Sequence, residues 1–209
     1  MARSAPKQER SFASMNRMLE AGEQLFYEGG APALTLEAVI ERAETSTGAF
    51  YGRFGDMRGF LDAMHERMIG TLVQELDALV AKVELAEDLD SAVRTICVEF
   101  FDAAERRHAQ IYFFAVGNAQ DAKWRAQGSA LMIQFTGTIA HVIAKHLPRP
   151  LNAATKRRID IAVRMIIAAV FQQITLEHQE ISRINVSTTT MANEVATMAV
   201  LYLREAPTK

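Results

Sequence analysis

Apolar residues recur at helical spacing from one end of the 209-residue chain to the other. Strand patterns, with strict two-residue alternation between turn residues, are scarce. The apolar stripes and the residues that start or stop helices predict nine helices, which cover roughly residues 11–28, 36–43, 47–54, 57–83, 91–106, 108–116, 121–146, 152–180 and 187–204. The sequence therefore predicts an all-α protein. We expect a three-helix head of residues 1–56 and a six-helix body of residues 57–209.

The breaks between the first helices carry specific signals. The Gly-Gly-Ala-Pro run at 29–32 is expected to end the first helix, because glycine accepts the left-handed cap and proline cannot continue the turn. Thr35, Ser46 and Asp56 are each placed to cap the helix that follows. The fourth helix carries one continuous apolar stripe from Leu61 to Val83, so it is expected to be long and packed along its length.

Composition and charge are ordinary and do not by themselves indicate nucleic-acid binding. The formal net charge is −2, and residues 1–60 carry seven basic residues against eight acidic ones, a balance of −1. A DNA-binding function must therefore rest on where the charges lie. Cys97 is the single cysteine, which excludes an internal disulfide and suggests a small buried hydrophobe. No targeting or membrane-spanning segment is evident, so we expect a cytoplasmic protein.

The most informative pattern lies between Thr35 and Leu61. Two short helices joined by a few polar residues have the geometry of a helix-turn-helix, whose second helix enters the major groove. The amino end of that helix, at 45–49, reads Thr-Ser-Thr-Gly-Ala. Such small residues let the backbone approach DNA, and free N–H groups and the helix dipole attract phosphate. Tyr51 and Arg53 are expected to face outward, with Phe50 and Phe54 on the buried side.

This segment resembles the DNA-binding head of the TetR family of transcriptional regulators. The family pattern is a Thr-capped helix, an Ile-Ala pair, then Ser-x-Gly-x-Phe/Leu-Tyr-x-x-Phe and a fourth helix that starts Ser/Asp-Lys. The matching positions are Leu25, Phe26, Gly29, Thr35, Val39, Ile40, Ala43, Ser46, Gly48, Phe50, Tyr51, Phe54, Asp56 and Leu61. The likeness covers about residues 12–62. The chain departs from the pattern at Glu44-Thr45, where the family usually has Gly-Val, and at Met57, where it usually has a phosphate-binding lysine.

The resemblance implies a homodimer that binds a near-palindromic operator and is released from it by a small apolar ligand, most simply as a repressor. The expected DNA-binding residues are Thr35, Thr45, Ser46, Thr47, Gly48, Ala49, Tyr51, Arg53 and Arg58. In TetR-like proteins the last two helices form the dimer interface, which here implies Ile166, Val170, Ile174, Met191, Val195, Met198 and Tyr202. A ligand pocket among helices four to seven would be lined by Phe101, Tyr112, Trp124, Met132, Phe135 and His141. The plain alternative for the last two sets is the body's own core.

Other functions remain as alternatives. One alternative is a helical ligand-binding or adaptor protein that has lost DNA binding, which is consistent with the acidic head, Glu44 and Met57. Another is that the two short helices serve only for packing. An enzyme is disfavoured, because no nucleophile–base pair, paired carboxylates or metal motif has convincing spacing. Glu105-x-x-His108 lacks the second copy that a di-iron bundle needs, and His141 and His146 do not share a helix face. We therefore predict no cofactor and no metal.

Overall fold

A computed structural model describes residues 5–148, 150–176 and 183–205, with side chains from residue 12 onward. Within these ranges the chain forms nine α-helices and one π-helical turn, and no strand occurs there, so the all-α prediction is confirmed. The elements are α1 (Ala5–Ala33), α2 (Leu36–Arg42), α3 (Thr47–Phe54), α4 (Met57–Glu84), α5 (Leu89–Arg106), α6 (His108–Ile111), the π turn (Tyr112–Gly117), α7 (Ala122–Lys145), α8 (Ala153–Thr175) and α9 (Thr188–Arg204).

The chain divides into two compact units, Met1–Gly70 and Thr71–Lys209, and α4 contributes to both. The first unit is longer than the predicted head of residues 1–56, because the first turns of α4 pack within it. Phe60 of α4 is fully buried, and its ring centroid lies 5.2 Å from that of Phe50 and 5.0 Å from that of Phe54. Such aromatic contacts stabilise a core by about 0.5–1.5 kcal/mol beyond the area they bury.

A close approach between α1 and α4 completes the first unit. A Cβ added at Gly22 would lie 2.8 Å from both Met64 Sδ and the Phe60 ring. A larger side chain at this position would require the Met64 and Phe60 side chains to shift. Packing, and not backbone conformation, therefore favours glycine here.

The first helix differs from its predicted span of 11–28 at both ends. It starts at Ala5, and its regular path breaks at Gly30, where φ is 65° and ψ is −159°. This backbone region is essentially restricted to glycine. One further turn follows and ends at Ala33. Pro32 fits in that turn because its missing N–H would have no partner at the start of a helical segment. The predicted stop signal thus acts as a break inside the element.

The second unit is built around one apolar core from α4, α5, α7, α8 and α9. Ile96, Ile139 and Val163 are fully buried at its centre, and α9 packs mainly against α5 and α8. Cys97 also lies there, and desolvation by burial raises its pKa to about 12. This confirms the buried hydrophobe expected from sequence. At the start of α5, the Asp88 carboxylate and Ser91 hydroxyl cap each other's backbone in a capping box.

Two predicted helices of the body have different ends in the structure. The helix expected over residues 108–116 is α for only one turn and then widens into the π turn, which Asn118 closes by donating from Nδ2 to the Phe113 carbonyl at 2.9 Å. The helix expected over 152–180 ends at Thr175, and the rest of that span lies largely outside the described residues. No helix in the described part of the chain has the length and apolar character needed to cross a membrane.

Candidate nucleic-acid interface

Side-chain caps fix the starts of the three helices around the candidate interface. The Thr35 hydroxyl accepts a hydrogen bond from the Ala38 N–H at 3.2 Å, and the Ser46 hydroxyl accepts one from the Ala49 N–H at 3.2 Å. The Asp56 carboxylate accepts one from the Gly59 N–H at 2.7 Å. All three predicted caps are confirmed. Each such cap stabilises its helix by about 1 kcal/mol.

The turn between α2 and α3 is closed by backbone hydrogen bonds around a residue in the left-handed conformation. The Thr45 N–H donates to the Ile40 carbonyl at 3.1 Å, and the Glu44 N–H donates to the Glu41 carbonyl at 3.2 Å. This is the Schellman pattern of helix ends. Glu44 has a φ of 47°, which costs a residue with a Cβ about 1 kcal/mol. The turn therefore keeps the geometry that suits glycine, although the sequence supplies a charged residue.

The third helix presents two different faces. Phe50 is fully buried and Phe54 is half-buried, whereas Tyr51 and Arg53 are exposed, so the predicted orientation of α3 is confirmed. Thr45 is half-buried. The other expected contact residues are all exposed: Thr35, Ser46, Thr47, Gly48, Ala49, Tyr51, Arg53 and Arg58. The arrangement brings small residues, one phenol and one guanidinium to the outer side of one short helix.

Two glycines on the exposed side of α3 have no packing reason within the protein. No heavy atom lies within 4 Å of a Cβ added at Gly48 or at Gly52. Glycine inside a helix costs roughly 0.5–1 kcal/mol relative to alanine. Intramolecular packing therefore gives no reason for their presence, whereas close approach of another molecule would. Gly52 is not among the predicted DNA-binding residues, although its place between Tyr51 and Arg53 is visible in the sequence.

Acidic neighbours engage several arginines of the first unit. Arg42 Nη1 lies 2.6 Å from Glu28 Oε1, Arg58 Nη2 lies 3.1 Å from Asp62 Oδ1, and Arg67 Nε lies 2.9 Å from Glu23 Oε1. These exposed or half-exposed pairs contribute little to stability. They do reduce the positive field available to a polyanion. The amino end of α3 would add attraction for phosphate at this surface without a charged side chain.

The residues predicted to line a ligand pocket differ in their exposure to solvent. Phe101 and Trp124 are buried, and Met132 and Phe135 are half-buried. Tyr112 and His141 are exposed, and Tyr112 stacks on His108 with ring centroids 6.3 Å apart. Helical rotation explains His141, because its neighbours Ile139, Val142 and Ile143 occupy the buried side of α7. Tyr112 and His141 are thus open to solvent, whereas the other four predicted residues are buried or half-buried.

The predicted dimer residues also divide by exposure within a single chain. Ile166, Ile174 and Val195 are buried in the chain's own core, and Val170, Met191 and Tyr202 are half-buried. Met198 is exposed to 60%. Two residues that sequence analysis did not name, Met165 on α8 and Leu201 on α9, are exposed to 65% and 64%. They lie one position from residues that face the core, which is why periodicity alone could not distinguish them.

Comparisons with known proteins agree with this geometry. Residues 18–64 match the family model of bacterial regulatory proteins, tetR family. A transcriptional regulator (TerR/AcrR family) from Aquifex aeolicus VF5 has 18% identity and a TM-score of 0.62, with 90% of this chain and 98% of that chain covered. The transcriptional regulator FadR from Bacillus subtilis, solved in complex with stearoyl-CoA, has 11% identity and a TM-score of 0.63, with 88% and 97% covered. A TetR-family regulator from Streptomyces coelicolor has 20% identity and a TM-score of 0.55, with 92% and 97% covered. At these identities the structures show a shared fold.

A search of curated proteins gave no match.

The part of the chain that the structure describes is helical, with an amino-terminal helix-turn-helix whose second helix is exposed on one side. The family match covers α2, the turn and α3, which are the elements of the candidate interface. Residues 18–64 therefore resemble the DNA-binding segment of bacterial regulatory proteins of the tetR family, and the chain shares the fold of TetR-family regulators of known structure.

Proposed function

We propose that the protein binds a near-palindromic operator as a homodimer, represses transcription in the cytoplasm and leaves the DNA when a small ligand binds its body. The observation that carries the DNA-binding part is the outer side of α3. Gly48 and Gly52 reduce helix stability there without filling a packing need. This cost is offset if the backbone of α3 must come close to a groove.

Tyr51 and Arg53 would hold the protein in register on the sugar-phosphate backbone. Both are exposed on α3, next to the two glycines. Contacts to phosphate fix position and orientation, whereas contacts to base edges select the sequence. The residues at the amino end, Thr47 to Ala49, are placed for base edges because the amino end of a recognition helix reaches deepest into the groove.

The exposed apolar residues of α8 and α9 support a two-fold dimer. Met165, Met198 and Leu201 are large apolar side chains that stay exposed on two helices packed against each other, and a second copy of the chain would cover them. A dimer through this surface carries two copies of α3. Half-sites about 34–36 Å apart, or a multiple of that distance, would then form the operator.

Ligand control would act through α4, which runs without a break from the first compact unit into the second. A ligand that binds the body better in one arrangement of α4 shifts the balance between DNA-binding and free forms. A coupling of about 1–3 kcal/mol, or a 5–150-fold change in operator affinity, is enough for a switch. The Bacillus subtilis neighbour was solved with stearoyl-CoA, which supports an acyl-type ligand as one class to test.

A second candidate function is a ligand-binding or adaptor protein without DNA affinity. The ion pairs that engage Arg42, Arg58 and Arg67 and the exposed Glu44 favour it, because each lowers attraction for phosphate. The two functions differ in a property that is simple to measure. Only the regulator selects a duplex sequence.

Selection of bound duplexes from fragmented genomic DNA tests the proposal. We expect enrichment of a near-palindrome, and Arg53→Ala should weaken its binding and reduce the salt slope by about one ion. The matched control is Arg94→Ala on α5, another exposed arginine, which should leave binding unchanged. A folded dimer that enriches no duplex, even in dilute salt, would contradict the regulator and support the adaptor.

A further inference from the structure

An ion pair with unsatisfied buried atoms joins α4 to the end of α5. Glu75 lies on α4, and Arg107 follows the last residue of α5. Glu75 Oε1 accepts a hydrogen bond from Arg107 Nη2 at 2.7 Å, and Arg106 Nη2 lies 3.8 Å from the same oxygen. The two side chains of the pair are only 33% and 19% exposed.

Both charges lie beside apolar stripes. On α4 the neighbouring positions Leu76 and Leu79 are buried, and on α5 Phe101 and Ala104 are buried one or two turns before Arg107. Apolar residues would continue these stripes at lower cost, since burying charge requires desolvation. Positions where local sequence choices oppose the fold are commonly functional. The ion pair is therefore a candidate ligand-binding site.

Each partner keeps one polar atom that the rest of the described structure does not satisfy. Glu75 Oε2 and Arg107 Nη1 are buried, and neither has a hydrogen-bond partner among the described residues. More than nine in ten buried polar groups in native proteins have a partner. The pair therefore offers one free acceptor and one free donor to a group that enters the body.

The chain beyond Arg107 carries a second mark of function. After the single turn of α6 it forms the π turn, and π-helical turns occur often at functional sites. The π turn brings the Phe114 ring to within 4.9 Å of the Trp124 ring, centroid to centroid. An apolar, aromatic segment thus follows directly in sequence on the polar pair.

We propose that Glu75 and Arg107 bind the polar end of the ligand, which is an amphipathic molecule with a neutral head that both donates and accepts hydrogen bonds. A primary carboxamide has this chemistry. Its N–H would donate to Glu75 Oε2, and its carbonyl would accept from Arg107 Nη1. A carboxylate head is disfavoured, because it has no N–H or O–H group to donate to Glu75 Oε2. This inference rests on the proposed ligand control, and it replaces a purely apolar ligand by one with a specific polar end. Because Glu75 lies on α4, binding would act directly on the helix that both units share.

Calorimetric titration of the full chain without DNA tests the inference, with decanamide, methyl decanoate and decanoate as probes. All three share one alkyl chain, and only decanamide both donates and accepts. We expect decanamide to bind about tenfold more tightly than methyl decanoate, as one hydrogen bond to a charged group predicts. Decanoate should bind no better than the ester.

A double variant keeps the experiment informative if single changes unfold the body. Arg107→Met alone leaves a buried carboxylate unpaired, whereas Glu75→Leu with Arg107→Met replaces both charges by apolar groups. The double variant should bind decanamide and methyl decanoate within about twofold of each other. The matched control is Lys82→Met with Glu99→Leu, which removes another ion pair between α4 and α5, and it should retain the tenfold preference.

Two results would overturn the inference. One is the absence of saturable decanamide binding to the wild-type protein. The other is an undiminished preference for decanamide in a folded Glu75→Leu, Arg107→Met protein. Operator binding is measured separately without any probe. A wild-type protein that binds its operator but shows no preference for decanamide refutes this inference alone, whereas a protein that selects no operator refutes the proposed function.

Discussion

Replacing the two outward glycines of α3 by alanine should change stability and DNA binding in opposite directions. Neither Gly48 nor Gly52 has a heavy atom within 4 Å of an added Cβ, so the methyl groups meet nothing inside the protein. Each replacement should stabilise the helix by about 0.5–1 kcal/mol. The double variant should therefore gain about 1–2 kcal/mol. For a unit of this size that corresponds to a rise in Tm of roughly 4–8 °C per kcal/mol.

The same two methyl groups should weaken operator binding. They extend from the face that we propose to enter the groove, where they would push the backbone of α3 away from the DNA. Scanning calorimetry and amide exchange over residues 36–64 measure stability, and fluorescence anisotropy with the selected duplex measures affinity. The matched control is Gly137→Ala on α7, an exposed glycine that also has no atom within 4 Å of an added Cβ. That variant should stabilise the body and leave affinity unchanged.

Stability and duplex affinity of the double variant together test whether the two glycines serve close approach to DNA. A double variant that is more stable and binds the duplex as well as the wild type would refute the claim that these glycines serve close approach. A variant that is less stable would show that the helix depends on them for folding, and the claim would fail for a different reason.

Three further predictions concern single positions. Glu44→Gln removes a charge at the residue with the left-handed backbone. Affinity for the duplex should therefore rise a few-fold in dilute salt, and this gain should shrink as salt is added. An unchanged affinity in dilute salt would show that Glu44 lies away from phosphate. Gly59→Ala places a Cβ 2.0 Å from the Phe54 carbonyl oxygen. It should lower the stability of the first unit by about 2 kcal/mol or more, measured by calorimetry. Unchanged stability would show that this turn relaxes freely. Met198→Lys with Leu201→Lys should convert the dimer to monomer in sedimentation experiments without loss of helicity, whereas an unaltered dimer would move the interface elsewhere.

Local chemistry made much of the first unit predictable. Ser46 was recognisable as a cap because its hydroxyl replaces a missing backbone partner, and that requires only a few residues of sequence. The orientation of Phe50 and Tyr51 followed from helical periodicity in the same way. By contrast, the left-handed conformation of Glu44 is imposed by the turn against the preference of the residue. Only the family pattern, which has glycine there, pointed to it.

The body was less predictable, because an apolar stripe on a helix does not show whether it packs against the chain's own helices or against another molecule. Ile166 and Met198 both belong to apolar stripes, yet one lies in the chain's own core and the other faces outward. His141 is exposed although Val142, one position further along α7, is buried, and a coarse helix assignment does not fix which of two neighbouring positions faces the core. The Glu75–Arg107 pair depends on two helices meeting, so no single stretch of sequence contains it.

Site-directed cleavage tests most directly whether α3 enters the groove. Cys97 is buried and its pKa is raised to about 12, so it should resist labelling and leave an introduced Ala49→Cys as the reactive thiol. With an iron–EDTA group on that thiol, we expect cuts at two positions of the selected duplex, about 10 base pairs or a multiple apart. The same label at Gly137→Cys should give none. Binding of the duplex without localised cleavage from position 49 would contradict the account.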